Sequence, residues 1–158
     1  MPYVDGRHDG RQAIIQVAII DAARFKEYQQ SNTSILPDVR PCRALIDTGA
    51  TCTMITTHVV SELKLEFVNK KLFRIADNRE EWRPAYLFYV AFYGAAVTDG
   101  DSEEDGVSRM VKKIYRCTKE INGGEIKDED SFDILLGMDI ISTGNLMMKS
   151  DGTFRFEF

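Results

Sequence analysis

Apolar positions along this chain gather in short blocks and alternating runs separated by polar, Gly- and Pro-marked breaks, with few long helical stripes. Residues 12–20 carry Ile14, Ile15, Val17, Ala18, Ile19 and Ile20 and predict a buried strand. The polar stretch 21–34 contains a short helix over 22–29, and Pro37 and Pro41 mark a loop. Residues 42–47 form a second strand that Gly49 breaks, and 53–55 are β-prone. A helix over 57–65 puts Val59, Val60 and Leu63 on one face. Two aromatic, β-prone runs, 72–76 and 86–93, flank polar 77–81 and predict a long hairpin over 72–93 with its tip near Asn78. An acidic loop, 98–106, leads to a return strand over 109–117. Asn122-Gly123-Gly124 reads as a turn, followed by acidic 125–130. Residues 132–136 form a short strand ending at Gly137, and 138–142 make one or two helical turns. Residues 146–149 and 153–158 flank Ser150-Asp151-Gly152 as a hairpin, and the alternation Thr-Phe-Arg-Phe-Glu-Phe implies one buried face. The pattern predicts an all-β, mainly antiparallel protein with one or two short helices, a single domain spanning 1–158 with its core over about 12–158.

Charge narrows the partners. The chain has 158 residues and a formal net charge of −5. Nucleic acid and anionic membrane surfaces require clustered Lys and Arg, so neither is expected as a partner. No apolar run approaches the ~20 residues that span a bilayer. The first eight residues lack a basic start with an apolar core, so they do not read as an export signal. Three cysteines at irregular positions, Cys42, Cys52 and Cys117, fit reduced thiols in the cytoplasm, and the sequon Asn32-Thr33-Ser34 then reads as plain loop. The acidic loop fails as an EF-hand, because its twelfth position is Lys112 or Met110 instead of Glu. It reads as a solvated surface loop. His8 and His58 have no partners at metal-ligand spacing, so no metal site is expected.

The chemistry concentrates in Arg43-Ala44-Leu45-Ile46-Asp47-Thr48-Gly49-Ala50-Thr51. An apolar strand delivers one carboxylate onto a sharp turn. The Thr hydroxyl can tie the turn, and the Gly lets another backbone approach. A second segment, Phe132-Asp133-Ile134-Leu135-Leu136-Gly137-Met138-Asp139, sets two apolar residues before Gly and a short helix after it. Together these resemble the retropepsin-like aspartic proteases, and the single-domain bacterial and cellular members more than the viral ones.

The resemblance implies a closed β-barrel equivalent to half a pepsin, no metal or organic cofactor, and a polypeptide substrate. It makes Asp47 the catalytic residue. Thr48 becomes the residue whose hydroxyl bonds across paired catalytic loops, Gly49 the glycine whose carbonyl meets substrate backbone, and Gly137 the glycine of the strand threading beneath the turn. Gly49, Ala50, Thr51 and Cys52 would line the substrate cleft, and Ile75, Ala76, Asp77, Asn78 and Trp82 would form a flap above it. Trp82 reads either as an aromatic covering the cleft or as one packed under the hairpin. Cys52, at a position that lines substrate pockets in the family, reads either as an oxidation-sensitive thiol or, the favoured reading, as a small buried apolar side chain. Viral members carry Asp where this chain has Thr51 and Arg where it has Met138. Both partners of that ion pair are absent here together, so no lone buried charge results.

Peptide hydrolysis by this route needs two carboxylates, and this chain has one Asp-Thr-Gly. Asp133 lacks the Thr-Gly turn, Asp139 reads as a helix-start residue, and Asp151 belongs to a hairpin turn. The second Asp47 is therefore expected from a symmetry mate in a homodimer. The alternative is a retropepsin-like module that binds peptide or dimerises without hydrolysis.

Overall fold

The computed structural model describes residues 1–31, 40–97 and 111–158. The loop around Pro37, the sequon and the acidic loop 98–106 lie outside the described residues. The elements run β1 (Tyr3–Arg7), β2 (Ile14–Asp21), α1 (Ala22–Gln30), β3 (Arg40–Ile46), β4 (Met54–Thr56), α2 (Thr57–Leu63), β5 (Phe67–Arg74), a 3₁₀ turn (Ala76–Asn78), β6 (Glu80–Val97), β7 (Val111–Cys117), β8 (Ile121–Ile126), β9 (Ile134–Leu136), α3 (Met138–Ile141), β10 (Asn145–Met148) and β11 (Thr153–Glu157). The protein is thus mainly β, with short helices at the sheet margins.

The strands pair in the order β10-β11-β1-β6-β2-β3-β9-β4-β8, and β8 pairs back onto β6. The stretch from β6 through β2, β3, β9, β4 and β8 therefore closes a ring. Most pairings are antiparallel. The exceptions are β3 with β9 and β4 with β8, both parallel.

From Val17 to Ile20 β2 is buried on both faces, which explains the apolar run that follows exposed Gln16. Ile15, Val17 and Ile19 enter the main core with Phe88, Val90, Ile134 and Leu136. Ala18 and Ile20 face a second cluster with Ala91, Phe25 and Tyr89 beneath α1. Helix α1 starts where the Asp21 carboxylate accepts from the Arg24 N–H at 3.2 Å. It is pinned by Phe25 against Tyr89, with ring centroids 4.2 Å apart. In the last strand Phe154, Phe156 and Phe158 all enter the core, as its alternation requires.

Three expectations need correction. Asn122-Gly123-Gly124 is no turn but the middle of β8. A Cβ on Gly123 would meet the Phe88 ring at 2.6 Å, and one on Gly124 would run into Phe73, so these glycines make room for rings lying on the strand. Pro41 lies in β3 opposite Ala18. Residues before 12 also join the sheet. β1 is inserted between β11 and β6, with Gly6 lying under the Phe154 ring.

The long hairpin is present. β5 and β6 pair from Phe67–Tyr86 to Arg74–Glu80 around a tip held by the Ile75 N–H donating to the Arg79 carbonyl at 2.8 Å. Asp77 and Asn78 take positive φ there, which short polar side chains tolerate.

Candidate active site

The register of β3 against β9 pairs Leu45 with Leu135 and Ile46 with Leu136. The next N–H, that of Asp47, donates to the Leu136 carbonyl at 3.0 Å, so Asp47 sits where the parallel pair ends. The chain then turns, and the Ala50 N–H donates to the Asp47 carbonyl at 3.2 Å. The Gly49 N–H donates to Asp47 Oδ1 at 2.9 Å, aiming the carboxylate along the turn. Asp47 is half-buried, whereas Thr48 and Gly49 are exposed. Among the described residues the Thr48 hydroxyl has no hydrogen bond within the chain. A Cβ on Gly49 would touch only Asp47 Oδ1, so the outer side of this glycine is open to another backbone.

Gly137 lies directly beneath the turn. A Cβ there would sit 2.5 Å from the Cys52 carbonyl carbon and 2.7 Å from its oxygen, so no other residue fits without moving backbone. The Gly137 N–H donates to Thr53 Oγ1 at 3.1 Å. The next two amides complete the junction: Met138 N–H to the Ala50 carbonyl at 2.8 Å and Asp139 N–H to the Thr51 carbonyl at 3.2 Å.

A cleft of about 470 Å³ opens beside the turn. One wall is Gly49, Ala50, Thr51, Cys52 and Met54; the other is Leu72, Phe73, Arg74 and Glu80 from the hairpin. Four expected cleft residues therefore line it. Ile75, Asp77 and Asn78 sit at the hairpin tip, in the same turn as Ala76, and do not wall the cleft. Trp82 is 67 % exposed, so it is not packed under the hairpin. It lies directly opposite Leu72, and cross-strand partners share a face. Both present bare apolar surface; Leu72 walls the cleft, whereas Trp82 does not.

Cys52 is exposed in the cleft wall, contrary to the expectation of a buried apolar residue. Partial burial raises its thiol above the ordinary value, and the Asp139 charge adds to this, with Lys71 pulling the other way. Cys42 is the buried thiol, and desolvation pushes it up to about 11.

Two supporting carboxylates were not legible as such. Asp139 does begin α3, but its side chain leaves the helix to hold Thr53. Asp133, buried at the entry to β9, accepts from the Arg43 N–H at 2.8 Å and pairs with the Arg43 guanidinium at 3.3 Å. Burial raises the Asp133 carboxyl, but the hydrogen bonds and charge of Arg43 outweigh it and leave it below the usual carboxylate value. Both links join residues more than 80 positions apart, and no local motif announces such a pair.

A family model described as "Aspartyl protease" matches residues 34–140, more than half of the chain. The chain belongs to the aspartyl protease family. The matched span holds both the Asp47 turn and Gly137. Among solved structures, this family member is similar to a retropepsin-like aspartic protease from Rickettsia conorii. Sequence identity is 14 %, coverage is 99 % of this chain and 90 % of that one, and the TM-score is 0.49. A sequence comparison with curated proteins gave no match. Among the described residues no group of His, Cys, Asp and Glu is set to hold a metal ion, and no helix is long and apolar enough to cross a membrane.

Proposed function

We propose that this aspartyl protease family member is an endopeptidase that works as a homodimer, with each subunit supplying one Asp47. The observation that carries this reading is a single half-buried carboxylate, aimed by the Gly49 N–H and set beside an open cleft on a turn hydrogen-bonded from below by the Met138 amide. The exposed Thr48 hydroxyl supports a bond to the equivalent loop of a second copy. The two-fold axis would then pass between the turns.

Two carboxylates about 3 Å apart cannot both ionise, so the pair shares one proton, as is established for aspartic proteases as a class. The ionised Asp47 takes a proton from a water whose oxygen bonds to the scissile carbonyl carbon. The protonated Asp47 of the mate donates to the carbonyl oxygen. The tetrahedral diol then collapses: the C–N bond breaks, the leaving amine takes the proton that the first Asp47 drew from the water, and a diol hydroxyl returns a proton to the mate's ionised Asp47. Substrate would lie extended in the cleft, with alternate side chains entering its walls. Closure of the hairpin would bring Trp82 and Leu72 onto the substrate and exclude water. The three free thiols support a reducing cytoplasm as its place of work.

The test is cleavage of an unstructured polypeptide between about pH 4 and 8 by the parent protein and by Asp47→Asn. The Asn carbonyl can still accept from the Gly49 N–H, so the turn should persist. Cleavage by the parent alone supports the enzyme. Equal peptide binding with no cleavage by either protein would instead support a non-hydrolytic binding module.

A further inference from the structure

Among the described residues, the firmest polar contact on the catalytic loop outside the Asp47 turn comes from a carboxylate that does not reach the cleft. Asp139 Oδ2 accepts the Thr53 backbone N–H at 3.0 Å, and Asp139 Oδ1 accepts the Thr53 hydroxyl at 2.7 Å. The same hydroxyl oxygen accepts the Gly137 N–H at 3.1 Å. Thr53 is fully buried. Its hydroxyl therefore relays one continuous chain of bonds from α3 through Thr53 to the glycine beneath the turn. With the Met138 and Asp139 amides on the Ala50 and Thr51 carbonyls, every residue from Ala50 to Thr53 except Cys52 is bonded to α3 or its cap. Thr51 and Met138 leave no ion pair between loop and helix, so this carboxylate is the loop's ionic hold.

Asp139 is absent from the walls of the 470 Å³ cleft. It instead lines a separate cavity of about 220 Å³ on the other side, with Phe92, Ile121, Ile140 and Phe158. A bound peptide in the cleft would therefore meet Thr51 and Cys52, not Asp139.

We propose that Asp139 is a positioning residue for peptide hydrolysis: acting through Thr53, it sets the height of the Asp47 turn against its symmetry mate. This rests on the endopeptidase reading. Two dyad carboxylates must meet within hydrogen-bond reach, and a misplacement of about 1 Å can cost on the order of 100-fold in rate. Substrate contacts lie on other residues, so loss of the hold lowers kcat and leaves KM near its parental value.

The experiment compares the parent with Asp139→Ala, Asp139→Asn, Thr53→Val and Thr53→Ser. Each is checked for folding by circular dichroism and read by steady-state kinetics and amide hydrogen exchange. The expected results are a fall in kcat of about 10- to 100-fold for Asp139→Ala and Thr53→Val with KM within about twofold. Thr53→Ser, which keeps the hydroxyl, should stay near parental, and Asp139→Asn, which keeps one acceptor, should fall between. Folded Asp139→Ala and Thr53→Val with parental kcat would overturn the proposal. Exchange reads the hold without activity: the Thr53 amide should lose at least about tenfold protection in Asp139→Ala while β2 amides keep theirs. Unchanged protection there overturns the proposal. A parent that cleaves nothing sinks the endopeptidase reading, and the exchange result then decides separately whether Asp139 holds the loop.

Discussion

Replacing Gly137 by Ala adds one methyl group at the tightest junction of the site. That methyl would lie 2.5 Å from the Cys52 carbonyl carbon, 2.7 Å from its oxygen and 2.9 Å from its nitrogen, all backbone atoms that cannot rotate away. Ordinary contact begins near 3.4 Å, so the loop must rise by on the order of 1 Å. Forcing a backbone shift of this kind costs about 3 kcal/mol. The alanine returns under about 1 kcal/mol by restricting the unfolded chain, since Gly137 has a φ of −90° that alanine accepts. The net loss is about 2 kcal/mol, which at this chain length lowers Tm by about 4–8 °C. The displaced segment is the loop that carries Asp47, so kcat should fall on the order of 100-fold as well. Calorimetry and peptide cleavage read the two effects. Gly49→Ala is the control: its methyl meets only Asp47 Oδ1, at 3.2 Å, so Tm should move by less than about 1 °C while substrate approach suffers. A Gly137→Ala protein with parental Tm and parental turnover would refute the close approach of strand and loop on which the site geometry rests.

Two other outcomes follow from the same contacts. Iodoacetamide should label exposed Cys52 first, at rates that climb above about pH 9, then half-buried Cys117, and Cys42 only on unfolding; peptide mapping reads the order, and early labelling of Cys42 would contradict the burial described. Arg43 holds the Asp133 carboxyl below its ordinary 3.8, so the stability this supplies is present above that pH and is lost as pH falls through the depressed value. Arg43→Met should therefore lower Tm at neutral pH, with a gap from the parent that narrows below about pH 4; a gap that stays constant into strong acid would contradict the pairing.

The elements legible in the sequence were those whose own residues carry the signal. β2 announces itself by an apolar run buried on both sides, β11 by three alternating phenylalanines, and the candidate site's turn by Asp47-Thr48-Gly49 following an apolar strand. What escaped depended on distant partners. Gly123 and Gly124 look like a turn until the rings of Phe88 and Phe73 are laid across them. β1 is polar and short, and it becomes a strand because β11 and β6 offer it two edges. For Cys52 and Trp82 the sequence leaves both an inward and an outward reading, because small or aromatic side chains usually pack inward, and only the fold decides between them. Here Cys52 stands open in the cleft wall, and Trp82 stands exposed on β6 opposite Leu72. Asp139 shows the same limit: its place at the start of α3 is local, but its grip on Thr53 spans 86 residues.

The central claim is that one active centre is shared by two copies of the chain, and subunit mixing tests it most directly. Parent and Asp47→Asn chains are unfolded together in equal amounts, refolded, and assayed at fixed total concentration. If each centre needs both Asp47 carboxylates, random pairing leaves about a quarter of the dimers intact, and activity falls to about a quarter of the all-parent value. Activity of about a half, the value for chains that each work alone, would contradict the account.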